Sequence, residues 1–123
     1  MGGEPAWKKF ERSSAKFFGG ERFPANMGGP LDFEGPIVAG QCKNVKELSF
    51  HRLETLAIQA HLDAEKLDGQ KVGVVVTKRR AGTGHKTPAL ITFTKDAFEL
   101  YRKLYAQQLL RGETGCELQS LKP

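Results

Sequence analysis

Val72 to Thr77, VGVVVT, is an unbroken apolar run. A strand with one wet face alternates apolar and polar residues, so a run without alternation belongs to a strand covered on both faces. Such a strand needs a layer above it and a layer below. The neighbouring segments supply them. Upstream, SFHRLETLAIQAHLDAEKL sets Phe50, Leu53, Leu56, Ala57, Ala60, Ala64 and Leu67 at helical spacing behind Ser49, a good N-cap, and Asp68-Gly69 ends the helix. Downstream, residues 78–88, KRRAGTGHKTP, read as a basic glycine-bearing loop, and Ala89 to Phe93 as a further strand. Thr94 then caps a last helix, KDAFELYRKLYAQQLL, with Phe98, Tyr101, Leu104, Tyr105 and Leu109 facing inward.

The first third is more broken. PAWKKFERSSAKFF reads as a helix opened by proline and stopped by Gly19-Gly20, with Trp7, Phe10, Ser14, Phe17 and Phe18 forming its apolar stripe. Glu11 borders that stripe, where a carboxylate either pairs with a base or has a chemical task. Residues 21–36, rich in Gly and Pro, suggest loops and short strands, and Asp32 and Glu34 share a face if extended. Pro36 to Lys43 alternates as a strand, with Ile37, Ala39, Gln41 and Lys43 on one face and Val38, Gly40 and Cys42 on the other. Helix, short strands, helix, strand, strand, helix is the order of an α/β domain with a mixed sheet flanked by helices. The 123 residues suffice for one such domain, with a folded core at about 5–110 and a tail at 111–123.

Charge narrows the partners. Nineteen basic residues against fourteen acidic give +5. No acidic residue lies between Asp68 and Asp96, a stretch holding Lys71, Lys78, Arg79, Arg80, Lys86 and Lys95. A polyanion, DNA above all, is the natural partner of such a field. No segment reaches the roughly 18 consecutive apolar residues of a membrane span. The N-terminus has no signal-peptide core, and Ala6 stands where a myristoylated Gly2 would want Ser or Thr. Cys42 and Cys116 fit free thiols in a reducing cytoplasm, and with His51, His61 and His85 they form no zinc-ligand spacing. AGTGHKT lacks both glycines of a phosphate-binding loop.

Asp32, followed by Gln41 and Lys43, has the makings of a phosphodiester-cleaving site. That chemistry needs a cation on the phosphate, a nucleophilic water and a nearby positive group. Asp32 and the Gln41 carbonyl offer oxygen to Mg²⁺, Lys43 offers charge, and Glu11 could complete the cluster.

WKKFER, GGERFP, PLDFEGP and AGQCK, followed by the helix containing Gln59-Ala60, the apolar strand, the basic loop and KDAFEL, form an ordered set. In that set the chain resembles the PD-(D/E)XK nuclease superfamily, and within it the small phage-type Holliday junction resolvases, from Trp7 to about Leu104. The resemblance implies a restriction-endonuclease-like fold and Mg²⁺-dependent cleavage of branched DNA by a homodimer, with Mn²⁺ a possible substitute. It puts Glu11 at the first-helix glutamate, Asp32 at the metal-binding aspartate, Gln41 at the acidic place of the half-motif and Lys43 at its lysine. Arg22 and Gln59 match polar positions assigned to DNA or to support of the site. Gln41 leaves the half-motif one negative charge short, and Glu34 is the carboxylate that would replace it. Lys78, Arg79, Arg80 and Lys86 would follow the phosphate backbone. A duplex-nicking nuclease and a non-catalytic nucleic-acid-binding protein on the same fold are the alternatives.

Overall fold

The computed structural model describes residues 4–24 and 29–111. Its elements are α1 (Ala6–Phe17), β1 (Glu21–Arg22), β2 (Phe33–Glu34), β3 (Val38–Val45), α2 (Phe50–Leu67), β4 (Val72–Arg79), β5 (Ala89–Thr92) and α3 (Lys95–Arg111). The five strands form one mixed sheet in the order β1-β2-β3-β4-β5. The first three make an antiparallel meander, β4 runs parallel to β3, and β5 turns back antiparallel. The expected α/β class is therefore the one found, in an order consistent with a nuclease-like α/β fold.

The apolar run behaves as its composition requires. Val72, Val74 and Val76 pack on one side of the sheet with Ala15 of α1 and Ala97 and Leu104 of α3. Val75 packs on the other side with Leu56, Ala57 and Ala60 of α2. Gly73 is what lets α2 lie so close: a Cβ there would stand 2.1 Å from the Ala60 carbonyl oxygen. The Gly73 N–H donates to His61 Nδ1 at 3.1 Å, which gives that histidine a structural place between helix and strand.

Both predicted caps are present. Ser49 Oγ accepts from the Arg52 N–H at 3.0 Å, and Thr94 Oγ1 from the Ala97 N–H at 3.1 Å. Gly19, at φ 74°, ends the turn after α1 in a conformation that glycine adopts freely.

Four expectations need correction. The apolar run is only the first part of β4, which continues through Lys78 and Arg79: these pair with Asn44 and Val45 of β3, so they are strand and not loop. The α1 stripe is narrower than expected: Phe10, Ser14 and Phe18 face the core with Ala15 buried beside them, while Trp7 and Phe17 are exposed. At the start of α2, Phe50 is exposed, and on α3 Ala97, Leu104 and Gln108 are buried while Phe98 is half exposed. Arg111 belongs to α3, and the rest of the expected tail lies outside the described residues. Among the described residues no helix is long and apolar enough to cross a membrane.

Candidate active site

In a regular strand Leu31 and Phe33 would share a face. Here Leu31 packs with Ala39 and Ala64, on the α2 side, whereas Phe33 packs with Val38 and Val74, on the α1 and α3 side. The hydrogen bonds account for the flip. Phe33 is the register partner of Gly40, yet the Asp32 N–H also goes to the Gly40 carbonyl, at 2.8 Å. Two residues of one strand thus face one residue of the other, which is a β-bulge, and Asp32 is the extra residue. Bulges re-aim side chains, and this one gives Asp32 a direction that plain alternation would not.

Its carboxylate Oδ2 accepts the Cys42 backbone N–H at 2.7 Å. Burial lifts the pKa of Asp32 above the ordinary carboxylate value, and the negative charge of Glu11 lifts it further. The Cys42 N–H and the positive charges of Lys43 and Arg22 work against that rise. Glu11, Arg22 and Lys43 are therefore its charged surroundings. Glu11 reaches in from α1, and its Oε1 accepts from Arg22 Nε at 2.9 Å. Arg22 stands opposite Phe33 in the sheet register, which puts it on the α1 side as well. The sequence left open whether Glu11 pairs with a base; it pairs with Arg22.

The remaining half-motif residues sit differently. Strand alternation places Gln41 and Lys43 on the face of Ala39, turned toward the α2 side, and both are half-buried. Cys42 takes the opposite face, against the α1 core, as the sequence suggested. Burial pushes its thiol up to about 12, against a hydrogen bond from Ser14, with Asp32 and Glu11 adding to the rise. It is a protonated packing group at neutral pH. Glu34 does not join Asp32. Its register partner is Ala39, so the bulge separates the two carboxylates that simple extension would have aligned, and Lys71, just before β4, holds Glu34 in an ion pair. Gln59 lies on the exposed side of α2, bonded to Asp63 at 3.0 Å.

Asp32 and Glu11 are the carboxylates that could hold a hard divalent cation. Two carboxylates close enough to raise one pKa, one of them part-buried, form a place where positive charge is favoured. Mg²⁺ is commonly held by one or two carboxylates, with water and phosphate oxygens completing its shell, so this sparse set fits it. Among the described residues no three His, Cys, Asp or Glu side chains gather around one point.

The cations collect at the same end of the sheet. Lys43 faces Thr77 across the parallel pair, Lys78 and Arg79 end β4, and Arg80 follows, its N–H bonded to the Val45 carbonyl at 2.9 Å. Lys46, which follows β3, lines an open cleft with Arg79 and Arg80. Lys86 is exposed in the loop that leads to β5. The C-terminal ends of two adjacent parallel strands thus carry a cationic row, at the position where open α/β sheets bind their ligands. Sequence reasoning missed Lys46. It lies outside the acid-free stretch, far along the chain from Arg79 and Arg80, and only the β3–β4 register brings it beside them.

Compared with family models, with curated proteins and with solved structures, the chain finds no match.

Proposed function

We propose that the chain is a metal-dependent endonuclease acting on branched DNA, of the kind that resolves four-way junctions. One observation carries the reading: the bulge that turns Asp32 toward Glu11 lies at the end of the sheet where the strands present their row of cations. The order of helix, meander, crossover helix and parallel strand supports it.

In this mechanism Asp32 and Glu11 would hold Mg²⁺, with Mn²⁺ as substitute. The bound ion would supply charge neutralisation and a water of lowered pKa. Everything else falls to the chain's own side chains. Arg22, on the face of Asp32 and Glu11, holds the scissile phosphate, and Lys43 adds positive charge from the strand beside it, so that both offset charge that builds during attack. The Cys42 N–H fixes one oxygen of Asp32, so that the carboxylate presents the other. Lys46, Lys78, Arg79, Arg80 and Lys86 carry the flanking phosphates, which set the register of the duplex arms and contribute no sequence preference. Two cuts placed symmetrically across a junction call for two copies of the site, hence a homodimer. Work of this kind belongs in the cytoplasm, where DNA is within reach.

A labelled four-way junction and a duplex of matched sequence, each with Mg²⁺, Mn²⁺ or EDTA, test the reading. Paired nicks confined to the junction, absent with EDTA and in Asp32→Ala, are the expected result. Lys43→Ala should lower the rate by at least about 10²-fold, as loss of a charge-stabilising group does. Metal-dependent cleavage that survives Lys43→Ala would refute the assignment, and equal cutting of both substrates would mark a duplex-nicking enzyme.

A second reading has an observation of its own. Gln41 supplies no charge, Glu11 is engaged by Arg22, and Glu34 by Lys71. A protein that binds DNA without cutting it would look like this. Salt-sensitive binding with no product under either metal would establish it, and Gln41→Glu would ask whether a single charge restores cleavage.

A further inference from the structure

Trp7 is the chain's one tryptophan, and 51% of its surface is exposed. Tryptophan carries the largest apolar surface of any residue and is usually well covered. At helix position 7 it lies one turn before Glu11, on the same side of α1. The Arg22 guanidinium, the group that holds Glu11, lies over the indole at 5.8 Å from the ring centroid, and the Lys8 ammonium at 5.4 Å. Trp7, Arg22, Glu11 and Asp32 therefore form one continuous chain of contacts and charges, with the aromatic ring at its outer end.

We propose that Trp7 is a stacking platform for an unpaired nucleobase next to the phosphate held at Asp32. The inference rests on the reading of that site as a DNA site and deepens it, because it names the substrate feature selected. A base within an intact duplex already has neighbours above and below and cannot lie on the indole. A base at a branch point or in a single strand has a free face. An aromatic ring flanked by two cations suits such a nucleotide: the ring takes the base, and the mobile cation takes its flanking phosphate. Lys8, on a flexible stem, gives up the ring and moves to the phosphate. Arg22 stays where Glu11 holds it and keeps the indole upright. The preference for branched over linear DNA then resides in this ring, and the strand-end cations add affinity for either form.

With a single tryptophan, intrinsic fluorescence reports on this contact alone. The full-length chain in Ca²⁺, a condition chosen to favour binding without turnover, is titrated with a four-way junction, a single strand and a blunt duplex, while anisotropy of a dye on the DNA measures binding independently. The expected result is fluorescence quenched severalfold at saturation by junction and single strand, and little changed by the duplex. Trp7→Ala should weaken junction binding about tenfold and leave duplex binding within about twofold, and Trp7→Phe should restore most of the loss. Because the side chain is exposed, both variants keep the fold, which circular dichroism checks. If anisotropy shows junction binding while the tryptophan signal and the Trp7→Ala affinity stay unchanged, the platform is wrong and the DNA reading stands. If no DNA binds at all, the DNA reading fails and the platform fails with it.

Discussion

Asparagine at position 32 keeps the shape of the aspartate and removes its charge, which separates two things Asp32 does. The native carboxylate is part-buried and has Glu11 for a neighbour, so its pKa in the folded protein lies above the ordinary value. A carboxyl with a raised folded pKa favours the fold while protonated, and that advantage is lost as pH rises through the folded pKa. At neutral pH the folded protein therefore carries the cost of this charge. Asp32→Asn should raise the melting temperature by at most a few degrees at pH 7 and abolish metal-dependent cleavage. Below the ordinary carboxylate range, where the native group is neutral in both states, the two proteins should melt together. Melting curves of both across pH 3–8 check this, and a variant less stable than the native protein at pH 7 would contradict it. The asparagine oxygen can still accept the Cys42 N–H, so the comparison isolates the charge.

Among the elements, α2 and β4 meet at a close joint. Gly73→Ala would drive a methyl group into the Ala60 carbonyl and the His61 amide, both backbone, so no side-chain rotation relieves the clash. A loss of about 3 kcal/mol, the upper part of the range for overpacked cores, is expected from urea unfolding. Sequence revealed most of these elements, because their signals are local: VGVVVT has no alternation, Ser49 and Thr94 stand where caps belong, and Gly19-Gly20 closes α1. The site was half legible. Asp32, Glu11 and Lys43 were visible as candidates, whereas the bulge was not. LDFE reads as an ordinary strand, and the extra residue exists only through the hydrogen bonds made to Gly40. That hidden residue is why Glu34, two positions along, faces Lys71 and not Asp32. The C-terminal end of β4 escaped for a related reason: Lys78 and Arg79 have exposed side chains, and only their backbone pairing with β3 marks them as strand. Trp7 looked like core because helical spacing gives the periodicity of a stripe and not the angle at which the helix meets the sheet.

At the scale of the molecule, the cationic row should govern how affinity responds to salt. Each phosphate neutralised by the protein contributes about 0.9 to the slope of log affinity against log salt on duplex DNA. Replacing Lys78, Arg79 and Arg80 together with alanine should reduce that slope by about 2 to 3, measured by anisotropy between about 50 and 200 mM salt. An unchanged slope would remove the row from the DNA surface. The same sheet has another property. Among the described residues its spatial order repeats the order of its strands along the chain, with no strand inserted between earlier neighbours. Each strand leaving a ribosome therefore meets its partner already made, and the sheet can lengthen at one growing edge from β1 to β5. The one pause falls at α2, whose 18 residues must emerge before β4 can dock on β3. Until then the meander displays Ala39 and Leu31 with no helix over them, and the nascent chain carries its bulged aspartate in place before Lys78, Arg79 and Arg80 have been synthesised.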